Sequence, residues 1–337
     1  MAERDQPIWI RVTRVVMVVV AAGAAGAMVV GRLGQVWWGF DLFAPFQWVY
    51  TIALIVAGLG LGIARQRRLA GIVAIAAVVA LARLSPLYIP PAHSAPVGDA
   101  SITLMHFNFG LENGRFDPII AALDRSGADL IAIQELSTGL DRAIANRSQH
   151  YRPLLTQPRQ HAFGQGVYIR KSPRVEAWVE AAEATHIPPL KNVPVTEVTL
   201  DVGGQNITLI AVHTFAPVQK KMHGHRETVM ARLGRRAAAA RERGESMIIL
   251  GDMNATPWCS AYRQIMRPGG LIDSQRGFGY QPTWAFPGNP VGQLLAIPID
   301  HCFHTPDLVT TDRTTGPPLG SDHRPIIVTL RWAQDGP

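Results

Sequence analysis

Only two cysteines, Cys259 and Cys302, occur in 337 residues. That count excludes a disulfide-dense scaffold and a cysteine-rich zinc site. Charge is also scarce, at 17% of residues against 47% hydrophobic, which excludes intrinsic disorder. The scarcity is uneven. Residues 1–90 hold three acids, Glu3, Asp5 and Asp41, beside eight arginines, whereas the remaining 247 residues carry 24 basic and 22 acidic side chains. The pI near 9.8 therefore reports on the N-terminal third. A strongly basic nucleic-acid-binding surface is not implied for the rest. No internal repeat of fixed period is present.

The first ninety residues contain three uncharged stretches. Val15–Gly31 has 17 residues, Leu42–Ala64 has 23, and Leu69–Ala82 has 14 before Arg83 interrupts it. Spanning a bilayer takes about 20 apolar residues. Three membrane helices are expected, at 12–32, 44–64 and 69–89, the third requiring Arg83 to snorkel to an interface. Two blander readings compete: the first stretch as a cleaved signal peptide, which leaves the other two unexplained, and the third as a re-entrant or core helix. Arg4, Arg11 and Arg14 precede the first stretch, and Arg65, Arg67 and Arg68 separate the second from the third. The Lys/Arg bias of short loops then places the N-terminus in the cytoplasm. Three spans put the rest of the chain outside the cytoplasm; two would keep it inside. The expected location is a bacterial-type inner or plasma membrane, with the lipid bilayer as partner. Four prolines between Pro86 and Pro96 suit a stiff linker, set at 91–100, ahead of a domain at 101–337.

In that domain, Ile102–Phe107, Leu130–Ile133, Val167–Ile169, Ile207–Val212, Met247–Leu250 and Ile326–Leu330 read as strands. A helix is expected from Asp117, with Pro118 at its first position, and a long one over Glu227–Arg243. One α/β domain results. Polar residues repeatedly follow these apolar runs: Asn108, Glu135, His213, Asp252 and Asn254, with Asp300, Asp322 and His323 further on. Charge beside buried strands is costly unless paired or metal-bound. Hard oxygen donors of this kind suit Mg²⁺ or Mn²⁺. Singly, each has a bland reading. Asp252-Met-Asn254 suits an Asx turn, Asp322-His323 an ordinary turn, His213 a satisfied strand-end histidine, and Glu135 or Asp300 a solvated carboxylate.

Their order is more specific than any one of them. QE at Gln134–Glu135, GDMNATP at Gly251–Pro257, IDH at Ile299–His301 and GSDHRPI at Gly320–Ile326 together resemble the endonuclease/exonuclease/phosphatase superfamily, the deoxyribonuclease-I-like metal-dependent phosphoesterases. The resemblance covers about residues 101–331. It implies an α/β fold, a four-layer α/β/β/α sandwich, here preceded by a transmembrane helical region. It also implies Glu135, Asn108, Asp322 and Asp252 as metal ligands for Mg²⁺ or Mn²⁺, and His323 as catalytic histidine oriented by Asp300. In the same way Asn254 would bind the phosphate, and His213 would assist the leaving oxygen. Asp252 and His323 both remain candidates for the group that takes the proton from water.

The activity implied is membrane-anchored hydrolysis of phosphodiester bonds, in nucleic acid or in a phospholipid or sphingolipid head group. A catalytically inactive membrane receptor or scaffold on the same fold is the alternative. Other features read blandly: His301 as structural, His223 and His225 as a solvated loop, and Trp284 as a packed loop residue. Cys259 and Cys302 could pair outside the cytoplasm or stand as two isolated core thiols.

Overall fold

In the computed structural model, which describes residues 7–91, 96–187, 190, 193–288 and 290–334, helices α1 (Ile8–Gly31), α2 (Trp38–Asp41), α3 (Gln47–Ile63) and α4 (Arg67–Leu84) open the chain. Three helical segments, Ile8–Gly31, Trp38–Ile63 and Arg67–Leu87, are long and apolar enough to cross a membrane. Val15, Val19, Ile72, Ile75 and Val78 face outward, so the helices are apolar all round, which a water-exposed bundle would not be. Small residues such as Ala21, Ala24, Ala57, Ala77 and Ala80 let their backbones approach closely. Gly60 is one place where this is required, because an added Cβ would lie 2.7 Å from Met17.

The other elements are β1 (Pro96–Asn108), α5 (Phe116–Arg125), β2 (Leu130–Gln134), α6 (Thr138–Arg147), β3 (Tyr151–Gln157), β4 (Gln165–Arg170), α7 (Pro173–Glu176), β5 (Val179–His186) and β6 (Pro194–Asp201). They continue with β7 (Asn206–Val212), α8 (Lys220–Glu242), β8 (Ser246–Asp252), α9 (Ser260–Gly269), β9 (Ile272–Asp273), α10 (Pro290–Leu294), β10 (Asp300–His304), β11 (Leu308–Thr315) and β12 (Ile326–Ala333). Two six-stranded sheets form, in the orders β11-β12-β1-β2-β4-β3 and β5-β6-β7-β8-β10-β9. Each has one parallel pair at its centre, β1 with β2 and β7 with β8. Leu104, Val167, Leu209, Ile248 and Val328 fill the space between the sheets. Helices α5 and α6 cover the first sheet over Phe107, Ile131 and Tyr168, while α8 and α9 cover the second over Ile210, Ile249 and Phe303. The result is the four-layer α/β/β/α sandwich.

Several expectations shift. Residues 92–95 of the expected linker lie outside the described residues. Residues 96–100 are not linker: Pro96 and Val97 pair with Ala333 and Trp332, and a register shift before Ser101 absorbs the extra residues. Helix α5 begins at Phe116, so Asp117 sits in its first turn and is not its cap. Helix α8 begins at Lys220 and not at Glu227, which takes His223 and His225 out of a loop and onto a helix. Cys259 and Cys302 are both buried and free, and they belong to cores on opposite faces of the second sheet. Burial pushes each thiol up to about 12.

The sandwich sits on one end of the helical bundle. Asp41, in α2, is buried and accepts from Arg226 of α8 and from Ser260 N at 2.9 Å. Trp258 donates its indole N–H to Arg83 O at 3.0 Å, and Gly279 N donates to Leu87 O at 2.6 Å. Arg226 is itself fully buried. Removing one member of a buried pair leaves an uncompensated charge and costs about 3–5 kcal/mol. Asp41→Ala is therefore expected to lower stability by that amount, and adding Arg226→Met should recover most of it. Denaturant unfolding of the full chain in detergent, followed by tryptophan fluorescence, measures both; a single variant within about 1 kcal/mol of the wild type would contradict the pairing.

Candidate active site

Both parallel strand pairs deliver polar residues to one edge of the sandwich. Strand β1 ends in Asn108 and β2 runs into Glu135; β7 runs into His213 and β8 ends in Asp252. Asp300 opens β10 directly opposite Asp252, and His323 precedes β12. Seven of the eight candidate positions are joined there by hydrogen bonds or ion pairs.

Gln134 ties the two sheets together at this edge. Its side chain donates to Val212 O of β7 and accepts from Asp252 N of β8 at 2.8 Å. The glycine that opens the GDMN motif makes the close approach feasible. Gly251 has φ 153°, and a Cβ there would lie 1.9 Å from Val212 O. Next to the clamp, Glu135 adopts φ 55°, a left-handed conformation rare for a non-glycine residue. This turn directs its carboxylate to Leu111 N at 2.9 Å and to Asn108 Nδ2 at 3.3 Å. The same Asn108 amide donates to Asp252 Oδ2 at 3.1 Å. Two carboxylates thus share one carboxamide, and among the described residues no lysine or arginine pairs with either. A carboxylate–carboxamide donor set of this kind fits a hard divalent cation.

Asp300 is fully buried between two imidazoles, with His106 Nε2 at 2.7 Å and His323 Nδ1 at 2.9 Å. Burial alone would raise its pKa, but His323 and His106 hold the carboxyl well below the usual carboxylate range. Burial would likewise lower His323, yet the Asp300 and Asp252 carboxylates raise it to about 10. With Nδ1 on Asp300, His323 turns Nε2 toward Asp252 Oδ2, 3.6 Å away. His213 bonds Ala162 O through Nδ1 at 3.0 Å, leaving Nε2 3.4 Å from Asp252 Oδ2. Despite burial, that carboxylate raises the His213 pKa. The Asx turn at Asp252–Asn254 is present, since Asn254 N donates to Asp252 Oδ1 at 2.8 Å. It holds Asn254 at φ 45° with its amide 3.0 Å from Thr214 O and 3.5 Å from His213 Nε2.

Asp322 is the exception. It is exposed, and its Oδ2 accepts the indole N–H of Trp284 at 2.8 Å instead of joining Glu135. Trp284 is thereby not merely a packed loop residue. With Arg115, Ser321, Asp322, His323 and Arg324 it lines a cleft of about 580 Å³. His301 is structural, as expected, bonding Asp273 Oδ2 at 2.9 Å and Ala255 O at 2.8 Å. His223 is buried 3.8 Å from Asp41 and 3.6 Å from Glu227, which corrects the solvated-loop reading. Sequence reasoning missed His106 as a partner of Asp300 and Gln134 as a clamp. A two-residue alternation from Asn108 along β1 points His106 to the same face, and this was the available signal.

The sequence pattern of the Endonuclease/Exonuclease/phosphatase family matches residues 105–323. The chain belongs to that family. It is accordingly a hydrolase acting on ester bonds, in a family of divalent-metal-dependent phosphoesterases. No curated protein sequence matches the chain. Solved structures share its fold. TDP2 from Caenorhabditis elegans is 14% identical, with a TM-score of 0.55 over 68% of this chain and 74% of its own. An endonuclease/exonuclease/phosphatase from Bacteroides vulgatus is 16% identical, with a TM-score of 0.55 over 69% of this chain and 99% of its own. A mannosyl-6-phosphatase from Bacteroides thetaiotaomicron is 15% identical, with a TM-score of 0.53 over 68% and 100%.

Gln134→Leu would strand Val212 O and Asp252 N in the interior. Each unsatisfied buried group costs about 1–3 kcal/mol. The variant is expected to lose stability on that scale in denaturant unfolding, and to lose divalent-metal affinity as Glu135 and Asp252 drift apart. Unchanged stability would show that the two sheets are not clamped there.

Proposed function

We propose that the chain is a membrane-anchored, Mg²⁺-dependent phosphodiesterase whose catalytic domain, from about residue 96 onward, lies on the extracytoplasmic side. The observation that carries this reading is the shared amide of Asn108 between Glu135 and Asp252, beside the His323–Asp300 pair. Glu135, Asn108 and Asp252 would hold the metal. A bound divalent ion supplies charge neutralisation on the phosphate and on the leaving oxygen.

The protein's own groups then have distinct tasks. Asp300 holds the His323 ring by Nδ1, with Nε2 presented to the cleft. The proton of the attacking water passes to the Asp252 carboxylate, which His323 faces across 3.6 Å. Asn254 offers its amide to a phosphate oxygen. His213, beside it, donates to the departing oxygen. A catalytically inactive receptor is not favoured, because each of these positions retains a group able to do the chemistry.

Membrane anchoring is supported by the three apolar helices and by the position of their arginines. Arg11, Arg14, Arg65, Arg67 and Arg68 lie toward one end of the bundle, and the sandwich contacts the other. The positive-inside rule then directs the sandwich outward.

Full-length protein in detergent is expected to cleave bis(p-nitrophenyl) phosphate with Mg²⁺ and to lose activity with EDTA. Glu135→Ala and His323→Ala should each lower kcat by at least about 10²-fold. Retained activity in either variant, or in EDTA, would contradict the assignment. A reporter active only outside the cytoplasm, fused after Pro337, should be active; an inactive fusion expressed at normal levels would reverse the topology.

A further inference from the structure

The candidate site adjoins a second, apolar space. This cavity of about 330 Å³ has Leu42, Pro45 and Phe46, from the α2–α3 connection, on one side. Ala216, Val218 and Phe286, from loops of the catalytic domain, form the other. Asn254 and Trp284 also line it, so one space connects a membrane helix segment with the phosphate-binding candidate. Trp284 is common to this cavity and to the polar cleft that holds His323.

The surface around it is unusual for a water-soluble face. Among the described residues from 96 to 334, five large apolar side chains are exposed: Val97, Val218, Phe286, Val291 and Leu294. All but Val97 belong to the cavity wall or to α10 just beyond Phe286. Exposed apolar patches of this kind mark membrane or ligand contact. Across the cavity, Trp37, Leu42 and Phe43 are exposed at the same end of the bundle. Tryptophan is enriched where a helix meets the head-group layer. The mouth of the cavity thus lies where a bilayer surface would meet the domain. A strand of nucleic acid would need a cationic groove with stacking aromatics, which this apolar space does not offer.

We propose that the substrate is a membrane lipid phosphodiester, its apolar chain in the cavity between Phe46 and Phe286 and its phosphate at Asn254. The proposal rests on the phosphodiesterase reading above. It also sets the direction of cleavage. The apolar cavity reaches Asn254, whose amide is 3.5 Å from His213, whereas His323, which faces Asp252, lines the polar cleft. Water attacks phosphorus from the cleft side and forms the new P–O bond. The P–O bond to the lipid alcohol breaks. That alcohol leaves carrying a proton delivered at His213, and the water's proton goes to the Asp252 carboxylate. The products are a membrane-retained alcohol and a water-soluble phosphorylated head group.

The test uses the full chain in vesicles of phosphatidylglycerol and phosphatidylethanolamine with Mg²⁺, beside bis(p-nitrophenyl) phosphate and single-stranded DNA. Diacylglycerol and the phosphorylated head group are expected. Ala216→Trp, which fills the cavity, should lower the ratio of lipid to soluble-diester turnover at least about tenfold. Independently of activity, phosphatidylglycerol with a diazirine in its acyl chain should crosslink to residues 216–218 and to Phe286. Those crosslinks should vanish in Ala216→Trp while crosslinks to α1 and α3 persist. Cleavage of the soluble diester or DNA without lipid cleavage, or loop crosslinks that survive Ala216→Trp, would overturn the lipid proposal and leave the phosphodiesterase standing. Failure to cleave any of the three would overturn both.

Discussion

Burial of carboxylates at the ends of β-strands is the constraint from which the rest of the site follows. Asp252 and Asp300 face each other across neighbouring strands with almost no exposure to water. A buried charge is tolerated only when other charges or donors satisfy it. Asp300 meets that demand with two imidazoles, one on each of its oxygens. Asp252 meets it with the Asn108 amide, the Asn254 backbone and the edges of His213 and His323. Those partners come from β1, from the end of β7, from the loop after β8 and from the turn before β12, so the site is complete only when both sheets are formed and packed. The clamp at Gln134 sets the spacing, and the left-handed turn at Glu135 is held in place by the contacts around it.

A second buried charge extends this network toward the helical bundle. Arg226 donates to Asp41 in the helical region and to Asn254 O at 2.6 Å in the candidate site. The segment that connects the first two long apolar helices therefore stands one side chain away from the residue proposed to bind phosphate. The helical region and the candidate site share a structural element here. The proposed lipid substrate gives that arrangement a reason, since the chain would reach its phosphoester without the substrate leaving the bilayer surface.

Much of this was legible in the sequence because the site residues directly follow apolar runs. The runs ending at Asn108, Glu135, His213 and Asp252 became β1, β2, β7 and β8, and buried strands of that kind announce themselves by hydrophobicity alone. Strands β5 and β11 did not, because both lie at sheet edges and alternate with exposed polar residues. His106 was hidden inside an apolar run, where a single polar residue carries no pattern. His223 and Arg226 were hidden for the opposite reason: their neighbours are Lys, Gly and His, and only the contact with Asp41, 185 positions from Arg226, shows why they are buried. Asp322 stands apart from the other site positions, since its carboxylate turns to Trp284.

The central claim is that Glu135, Asn108 and Asp252 form the divalent-metal site of a phosphoesterase. The most direct measurement is electron paramagnetic resonance of Mn²⁺ titrated into the full-length protein, alongside Glu135→Gln. The account predicts saturable binding that Mg²⁺ displaces and that Glu135→Gln weakens severely. Binding unaffected by Glu135→Gln, or abolished instead by His223→Ala at the Asp41–Arg226 contact, would contradict it.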